Sequence, residues 1–442
     1  MNMHVLQEIL FIVLLLAATV VFVRKMKVIG RNIRLGKEVA VTGDRGRRWR
    51  HVLLYALGQK KMFRYPMVGV LHFFIYAGFI IINLEILEIV LDGILGTHRV
   101  FAAPLGAVYP WLIDGFEVLA LLVLLACVVF LMRRNVVKVK RLNTTDLKGW
   151  PRRDANIILI TEIVLMTLFL VMNACDGVLS QRGYGHYGSS QVTLFLVSGP
   201  LQPLVTGLHS SSLEVQERTC WWLHITGILA FLNYLPYSKH FHIILGFPNT
   251  YYAPLDPPGK MVNMPGVQQE VTYVFHPELA PAGEAAPQHF GAKDVFELSR
   301  LQLLQAYSCT ECGRCSAACP ANQTGKKLSP RKIMMDTRDR MEEVGRQMDA
   351  ASAPGEWVSD GKTLLHDRIS AEELRACTTC NACVTECPVS ISPLSIILEL
   401  RRALVMEESN APAEWNNLFS NVENNFAPWK FSPEDRGNWA KE

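Results

Sequence analysis

An all-α fold in two parts is what the sequence predicts: a bundle of five membrane-spanning helices, then a helical domain on the cytoplasmic side. Three observations lead there. Of 442 residues only 19% are charged, against about a quarter in soluble domains. That charge is split, with 25 Lys and Arg against 14 Asp and Glu in residues 1–242 and 19 against 26 in residues 243–442, so that +4 overall is +11 followed by −7. Finally, eight of the 11 cysteines fall in two matching runs within the second part. A wholly soluble enzyme, a disulfide-stapled secreted domain and a nucleic-acid binder are all disfavoured, the last because the basic residues border apolar runs.

The five apolar stretches lie near residues 3–23, 67–92, 114–132, 156–175 and 221–243. Each is close to the roughly 20 residues a helix needs to cross a hydrocarbon core. No Lys or Arg precedes the first stretch, whereas Arg24, Lys25 and Lys27 follow it. That is the charge order of a retained anchor with its N-terminus outside. Pro66 suits the first turn of the second helix, where its missing N–H costs nothing. The loops 24–65 and 133–155 carry 13 and eight Lys and Arg, while 93–113 and 176–220 carry only Arg99, Arg182 and Arg218. The positive-inside rule therefore puts the two basic loops, and everything after residue 243, in the cytoplasm. The apolar patch Val192–Val197 reads as a short helix lying on the outer surface.

Histidine inside a span is costly unless ligated or hydrogen-bonded. His72 lies five residues into the second span, on the cytoplasmic side, and His240 and His242 lie at the cytoplasmic end of the fifth. Depth thus pairs His72 with His240 or His242, and two neutral imidazoles on two helices can clamp the iron of a b-type haem. His224, near the outer end of the fifth span, has no partner at its depth in the second span. Either a loop histidine (His98, His186 or His209) reaches it, or it faces a quinone. Among the acids, Asp92, Asp114 and Glu117 read as helix-end residues in the headgroup zone. Glu85, which shares a helix face with Glu88, and Glu162 are the candidates for exchanging protons with a quinone.

The cysteines divide cleanly. Cys127, Cys175 and Cys220 sit in or beside spans and read as small packing hydrophobes. The other eight form Cys309-x2-Cys312-x2-Cys315-x3-Cys319-Pro320 and Cys377-x2-Cys380-x2-Cys383-x3-Cys387-Pro388. This is the run of bacterial two-cluster ferredoxins, in which the fourth cysteine ligates the other cluster. Cys309, Cys312, Cys315 and Cys387 are expected to hold one [4Fe–4S] cluster, and Cys377, Cys380, Cys383 and Cys319 the second. Zinc would want its ligands in two pairs, and a cytoplasmic location disfavours disulfides. Helices are expected over Asp294–Tyr307, Ile333–Met348 and Pro393–Met406, so this domain is mainly α-helical. The boundaries read as a transmembrane cytochrome b domain 1–246, a Pro/Ala/Gly-rich linker 247–292, a two-cluster domain 293–407 and a partner-docking tail 408–442 containing Trp415, Trp429 and Trp439.

These residues carry a resemblance. The first part, with His72 in the second span and Trp222-Leu-His224 leading to Ser238-Lys-His-Phe-His242, resembles the haem-b subunit of respiratory nitrate reductase and the membrane subunit of heterodisulfide reductase. The 18-residue gap from His224 to His242 matches the histidine pair of the nitrate reductase subunit's fifth helix. That family places two ligands ten apart in its second helix, whereas here Met62 and Ile82 flank His72 at that spacing. The second part, from the Cys309 run through Leu328-Ser-Pro-Arg331 to Pro428-Trp429 and Arg436-Gly-Asn-Trp439-Ala440, is similar to the helical ferredoxin subunit of heterodisulfide reductases. The fused arrangement resembles membrane iron–sulfur oxidoreductases linking electron-transfer flavoprotein to menaquinone.

What the resemblance implies is a five-helix transmembrane haem-binding bundle followed by a cytoplasmic α-helical ferredoxin domain in a bacterial inner membrane. Electrons would pass between a cytoplasmic partner and menaquinone or another quinone, through two [4Fe–4S] clusters and one or two haems b. Those families add a catalytic module with Cys-Cys-Gly signatures. No cysteine follows Cys387, so that module is expected on another chain, a Cys-Cys-Gly-type iron–sulfur subunit, with electron-transfer flavoprotein as a further partner. The competing readings are a subunit of a heterodisulfide-, sulfur- or nitrate-type respiratory complex, and an iron–sulfur redox sensor. The sensor would need an output module that the sequence does not show.

Overall fold

In the computed structural model, residues 3–41, 43–189, 195–257, 259–281, 289–351 and 357–441 are described. Among them there is no β-strand, only isolated bridges at Lys37–Ser299 and Leu365–Ile369. Helices dominate both parts.

Four helices are long and apolar enough to cross a membrane. They are α1 (Met3–Ile33), α2 (Pro66–Leu95), α3 (Tyr109–Asn135, continuing a short turn from Ala102) and α4 (Trp150–Gln181). Pro66 and Pro151 stand in the first turns of α2 and α4, where a missing donor is harmless. Gly96 ends α2 at φ 65°, returning its N–H to the carbonyl of Asp92, a left-handed cap that a side chain would strain. α1 packs on α2 and on α5 (Ser210–Tyr234), while α2, α3, α4 and α5 pack in succession. Their shared core includes Phe11, Ile82, Ile113, Phe116, Phe169 and Ile225.

The fifth expected span, 221–243, is not one helix. α5 stops at Tyr234, turns follow at Leu235–Tyr237 and Lys239–Phe241, and α6 begins at His242 and runs to Tyr252. Pro236 has no N–H to continue the ladder and disfavours helix at the residue before it. The Ser238 hydroxyl then accepts the N–H of His240 at 3.0 Å. His240 and His242 therefore stand on a corner rather than along a span. The surface helix expected at Val192–Val197 falls partly outside the described residues, and 195–197 are not helical.

The cysteine-rich part is built from α7 (Arg300–Tyr307), α8 (Pro330–Ala350) and α9 (Pro393–Arg402) around short helices beside the cysteine loops. Ser299 and Gln302 form a reciprocal capping box, and Ser329 caps α8 by accepting the N–H of Lys332. Both satisfy donors that a helix start leaves open. The amphipathic repeat of α8 buries Ile333, Met334, Met341, Val344 and Met348. They join Leu303, Ile396, Ile397 and Leu400, and also Ile29, Phe231, Leu235, Phe241 and Leu245 from the membrane part. The two parts thus share one apolar core. α1 overruns its expected end, and Asn32 Nδ2 donates to Tyr307 Oη at 2.9 Å.

The stretch read as a linker holds the second half of α6 and a helix over Pro265–Phe275. Residues 282–288, the Pro/Ala-rich centre, are outside the description. The tail carries one helix the sequence reading did not expect, α10 (Ala413–Asn425). Its Phe419 and Val422, and Phe426, Trp429 and Trp439 beyond it, are exposed.

Candidate functional site

Each cysteine run folds the same way. The second residue after the first cysteine is left-handed in both, Glu311 at φ 53° and Thr379 at φ 55°, and so is the fourth, Gly313 at φ 72° and Asn381 at φ 61°. Glycine is required at 313, because a Cβ there would lie 2.4 Å from the Arg331 guanidinium and 2.9 Å from the Arg141 carbonyl. Asn tolerates this region where space is open. A short helix follows each loop, and the chain then extends through Cys319-Pro320 and Cys387-Pro388. The short helices of the two runs pack on each other.

That packing exchanges the fourth cysteines. Cys309, Cys312 and Cys315 line one hollow together with Cys387, beside Arg331, Met334 and Ile391. Cys377, Cys380 and Cys383 line a second with Cys319, beside Leu328, Leu394 and Ile397. Amide N–H groups point at sulfur in both, from Ile391 to Cys387 at 3.2 Å and from Thr379 to Cys377 at 3.4 Å. Among the described residues no three His, Cys, Asp or Glu side chains converge closely enough to hold a single metal ion. The thiols instead stand around a space.

The two hollows differ in surroundings. The first abuts the basic loops of the membrane part. Lys61 Nζ donates to the Cys387 carbonyl at 3.1 Å, and Arg141 to the Cys312 carbonyl at 2.7 Å. Arg314 reaches the Lys61 carbonyl at 3.0 Å and lies over the Tyr65 ring. Arg331, almost fully buried, donates to Asp146 at 2.7 Å and to the Arg141 carbonyl at 2.8 Å. Burial pushes the Lys61 ammonium below its ordinary range, which nearby Cys387 and Glu386 oppose. Burial would raise the Glu311 carboxyl, but Lys239 and Arg338 hold it below the usual range. At the second hollow, Cys380 is exposed.

Three of the four candidate histidines come together. The rings of His72 and His242 are 6.5 Å apart, and those of His240 and His242 5.6 Å. His72 Nδ1 is held by Gln59 Oε1 at 2.9 Å and His242 Nδ1 by the Lys239 carbonyl at 3.0 Å. His224 stands elsewhere, its Nδ1 on the Leu165 carbonyl at 3.0 Å and its ring on Phe169. His98 and His186 pack on each other and on Tyr187, whose hydroxyl donates to Glu217, two turns from His224.

The acids separate too. Glu85 is buried, and its Oε2 has no hydrogen-bond partner among the described residues. Glu162 is half-buried on α4. The three acids expected at helix ends are instead buried. Asp92 accepts the N–H of Arg99 at 2.8 Å, Asp114 that of Leu196 at 3.1 Å and Glu117 those of Val197 and Ser198 at 2.9 and 3.1 Å. Arg99 joins them, donating to Asp176 at 2.7 Å and to Asn173 at 3.0 Å. Sequence reasoning missed Gln59, Lys61, Arg141, Lys239 and Arg331. For Lys61 and Arg141 the only signal is the basic count of their loops, which speaks to topology alone, whereas Lys239 and Arg331 fall within the motifs that carry the resemblance, with no role attached to them.

The family described as 4Fe-4S dicluster domain matches residues 308–391. The chain is 26% identical, over 98% of its length, to 60% of a Bacillus subtilis protein named "Probable iron-sulfur-binding oxidoreductase FadF". It is also 26% identical, over 88% of its length, to 53% of the EtfAB:quinone oxidoreductase of Syntrophomonas wolfei. A quarter of the chain (26%) is 30% identical to 56% of one subunit of the Ferredoxin/F(420)H(2)-dependent CoB-CoM heterodisulfide reductase from Methanosarcina acetivorans. The chain thus spans between half and two thirds of the first two relatives. No solved structure matches it. The chain is a homologue of this iron–sulfur-binding oxidoreductase, this quinone oxidoreductase and this heterodisulfide reductase subunit, with a 4Fe-4S dicluster domain over residues 308–391.

Proposed function

We propose that this chain is a membrane electron-transfer subunit carrying electrons between a cytoplasmic redox partner and menaquinone or a related quinone. The observation that carries the reading is the pair of four-cysteine hollows with exchanged fourth ligands, one exposed and one set against the membrane part. Four thiols around a space suit a [4Fe–4S] cluster better than zinc, whose ligands meet at about 2.3 Å from one point. Cys309, Cys312, Cys315 and Cys387 would hold the inner cluster, and Cys377, Cys380, Cys383 and Cys319 the outer one.

The histidine corner fits a haem b. Two imidazoles on one iron, with metal–nitrogen bonds of about 2 Å, have ring centres a little over 6 Å apart, close to the 6.5 Å between His72 and His242. Both rings have Nδ1 occupied, by Gln59 and by the Lys239 carbonyl. This is the outer-shell bond that fixes a ligating imidazole and leaves Nε2 to the metal. His240 is the alternative partner, and a second haem or a quinone at His224 is the further expectation. When bound, such clusters and haem exchange single electrons. The chain's own residues hold them in line: the cysteine loops near the surface, Lys61 and Arg141 at the junction, and His72 and His242 at the start of the membrane. Reducing a quinone takes two electrons and two protons, and Glu85 and Glu162 are the proposed proton carriers.

The same reading sets five crossings, with α5 as the fifth, the N-terminus outside and the cysteine domain in the cytoplasm of a bacterium. Both basic loops meet the cysteine domain through Lys61, Arg141 and Asp146, so they lie on one side. A Cys-Cys-Gly-type iron–sulfur subunit and an electron-transfer flavoprotein are the proposed partners. A detergent pull-down of the chain from native membranes tests this. Recovery of those partners supports the reading, and recovery of a nitrate- or sulfur-metabolism subunit moves it to another respiratory complex. Spectra of the purified chain lacking iron–sulfur and haem signals would overturn it.

A further inference from the structure

The two cysteine hollows are alike in ligands and loop geometry but unlike in charge. Around the inner one stand Lys61, Arg141, Lys239, Arg314, Arg331 and Arg338, against the carboxylates Glu311, Glu386 and Asp146. Each carboxylate is already paired: Glu311 with Lys239 and Arg338, Glu386 with Arg64 and Arg314, and Asp146 with Arg331. Lys61 and Arg141 have no ion-pair partner among the described residues, yet both donate directly to carbonyls of the cysteines Cys387 and Cys312. The lining of the outer hollow carries no charged side chain, and among the described residues one cation, Arg401, likewise without an ion-pair partner, donates to a cysteine carbonyl there, that of Cys377, against two at the inner hollow.

Reduction adds a negative charge to an iron–sulfur site, and nearby fixed cations stabilise that added charge. Net charge, hydrogen bonding and solvent exposure set such potentials. Water at Cys380 also stabilises the reduced outer site, but water screens at high dielectric, whereas Lys61 and Arg141 are partly withdrawn from solvent. Amide N–H groups also reach sulfur at both sites, from Ile391, Val389 and Glu311 at the inner one and from Thr379 and Val384 at the outer one, and these add to the effect of the cations.

We propose that Lys61 and Arg141, supplied by the membrane part, make the inner four-cysteine site the higher-potential of the two, so that electrons run inward from the exposed Cys380 side. This rests on the cluster assignment proposed above. One electron leaves a reduced flavin or iron–sulfur centre of the partner, enters at the outer site and settles at the inner one. No bond is made or broken and no proton moves. A second such transfer completes the pair that a quinone consumes. Lys61 and Arg141 are positioning residues here, because they act through the charge they hold near the cysteines.

The experiment is a redox titration of the purified full chain in detergent, followed by electron paramagnetic resonance. Cys380→Ser identifies the outer signal as the one it perturbs. In the wild type the other signal is expected at the higher midpoint. Lys61→Met and Arg141→Met are each expected to lower that midpoint and leave the outer one in place, while Lys61→Arg and Arg141→Lys, which keep the charge, restore it. An inner midpoint below the outer one, or methionine variants that move neither, overturns the proposal while leaving the clusters assigned. Absence of both signals from the wild type overturns the cluster assignment and this proposal together. The charge-conserving variants separate an electrostatic effect from a folding defect, since both replacements alter packing but only methionine removes the cation.

Discussion

Lys239 is ion-paired with Glu311, one of the two residues between Cys309 and Cys312, while its own backbone carbonyl accepts a hydrogen bond from Nδ1 of His242. One residue thus ties the inner cysteine loop to the histidine corner. The pair is buried, and Glu311 also meets Arg338 at 2.9 Å. A buried pair of this kind adds little net stability but leaves an expensive orphan when one partner goes.

Lys239→Met should therefore cost about 1.5–3 kcal/mol, the range for a lost charged hydrogen bond, because Arg338 still faces Glu311. Thermal unfolding of the variant in detergent reads this. A variant as stable as wild type would mean that Arg338 alone satisfies the carboxylate.

The exchanged ligands make an asymmetric prediction. Cys387→Ser should weaken the centre built on Cys309, Cys312 and Cys315 and spare the one built on Cys377, with Cys319→Ser doing the converse. Each variant should lose about half of the iron, one of two clusters. Iron analysis with resonance spectra of the two variants checks it, and damage confined to the variant's own run would contradict the exchange.

His72→Ala and His242→Ala should each abolish haem b absorbance while both iron–sulfur signals persist. Gln59→Leu should keep the haem but loosen it by about 10–100-fold, the usual cost of a lost outer-shell partner. Pyridine haemochrome assay measures all three. Quinone reduction that survives haem loss in His72→Ala would remove the histidine corner from the electron path.

Arg340 on α8 is fully buried and holds Asp294 and Asp360 at 2.8 and 2.7 Å, with the Lys362 carbonyl at 2.7 Å. Arg340→Met should cost about 3–5 kcal/mol by leaving two carboxylates without their cation. Hydrogen bonding to Arg340 holds the Asp360 carboxyl well below its usual range. Its stabilising share is then complete above the unfolded value of about 4 and fades as pH falls further, toward the folded value. Unfolding midpoints of wild type should drop as pH falls below about 4, and those of Asp360→Asn should drop less.

Much of this was legible in the sequence for local reasons. Four apolar runs read as helices because span length is a one-dimensional property. The amphipathic repeat placed Ile333, Met341 and Met348 on the buried face of α8 as observed. Less was legible where a partner far along the chain decides. Asp92, Asp114 and Glu117 read as helix-end residues, and what that reading does not contain is that they bind backbone N–H groups of the loops at 97–101 and 195–198. Carboxylates are buried where orphaned amides need acceptors, and sequence spacing does not say which loop folds back to supply them.

What the sequence by itself determined is what rests on short-range chemistry: the membrane helices from hydropathy and length, the shared side of the two basic loops from their charge, and the two cysteine runs from spacing. Tertiary structure alone decided the rest. It set His72 and His242 6.5 Å apart and turned the basic loops onto the inner cysteine site. Those contacts join residues tens to hundreds of positions apart, so they depend on how apolar faces pack. A basic residue that marks one side of the membrane in one dimension becomes, once the chain is folded, a charge held against a cysteine loop.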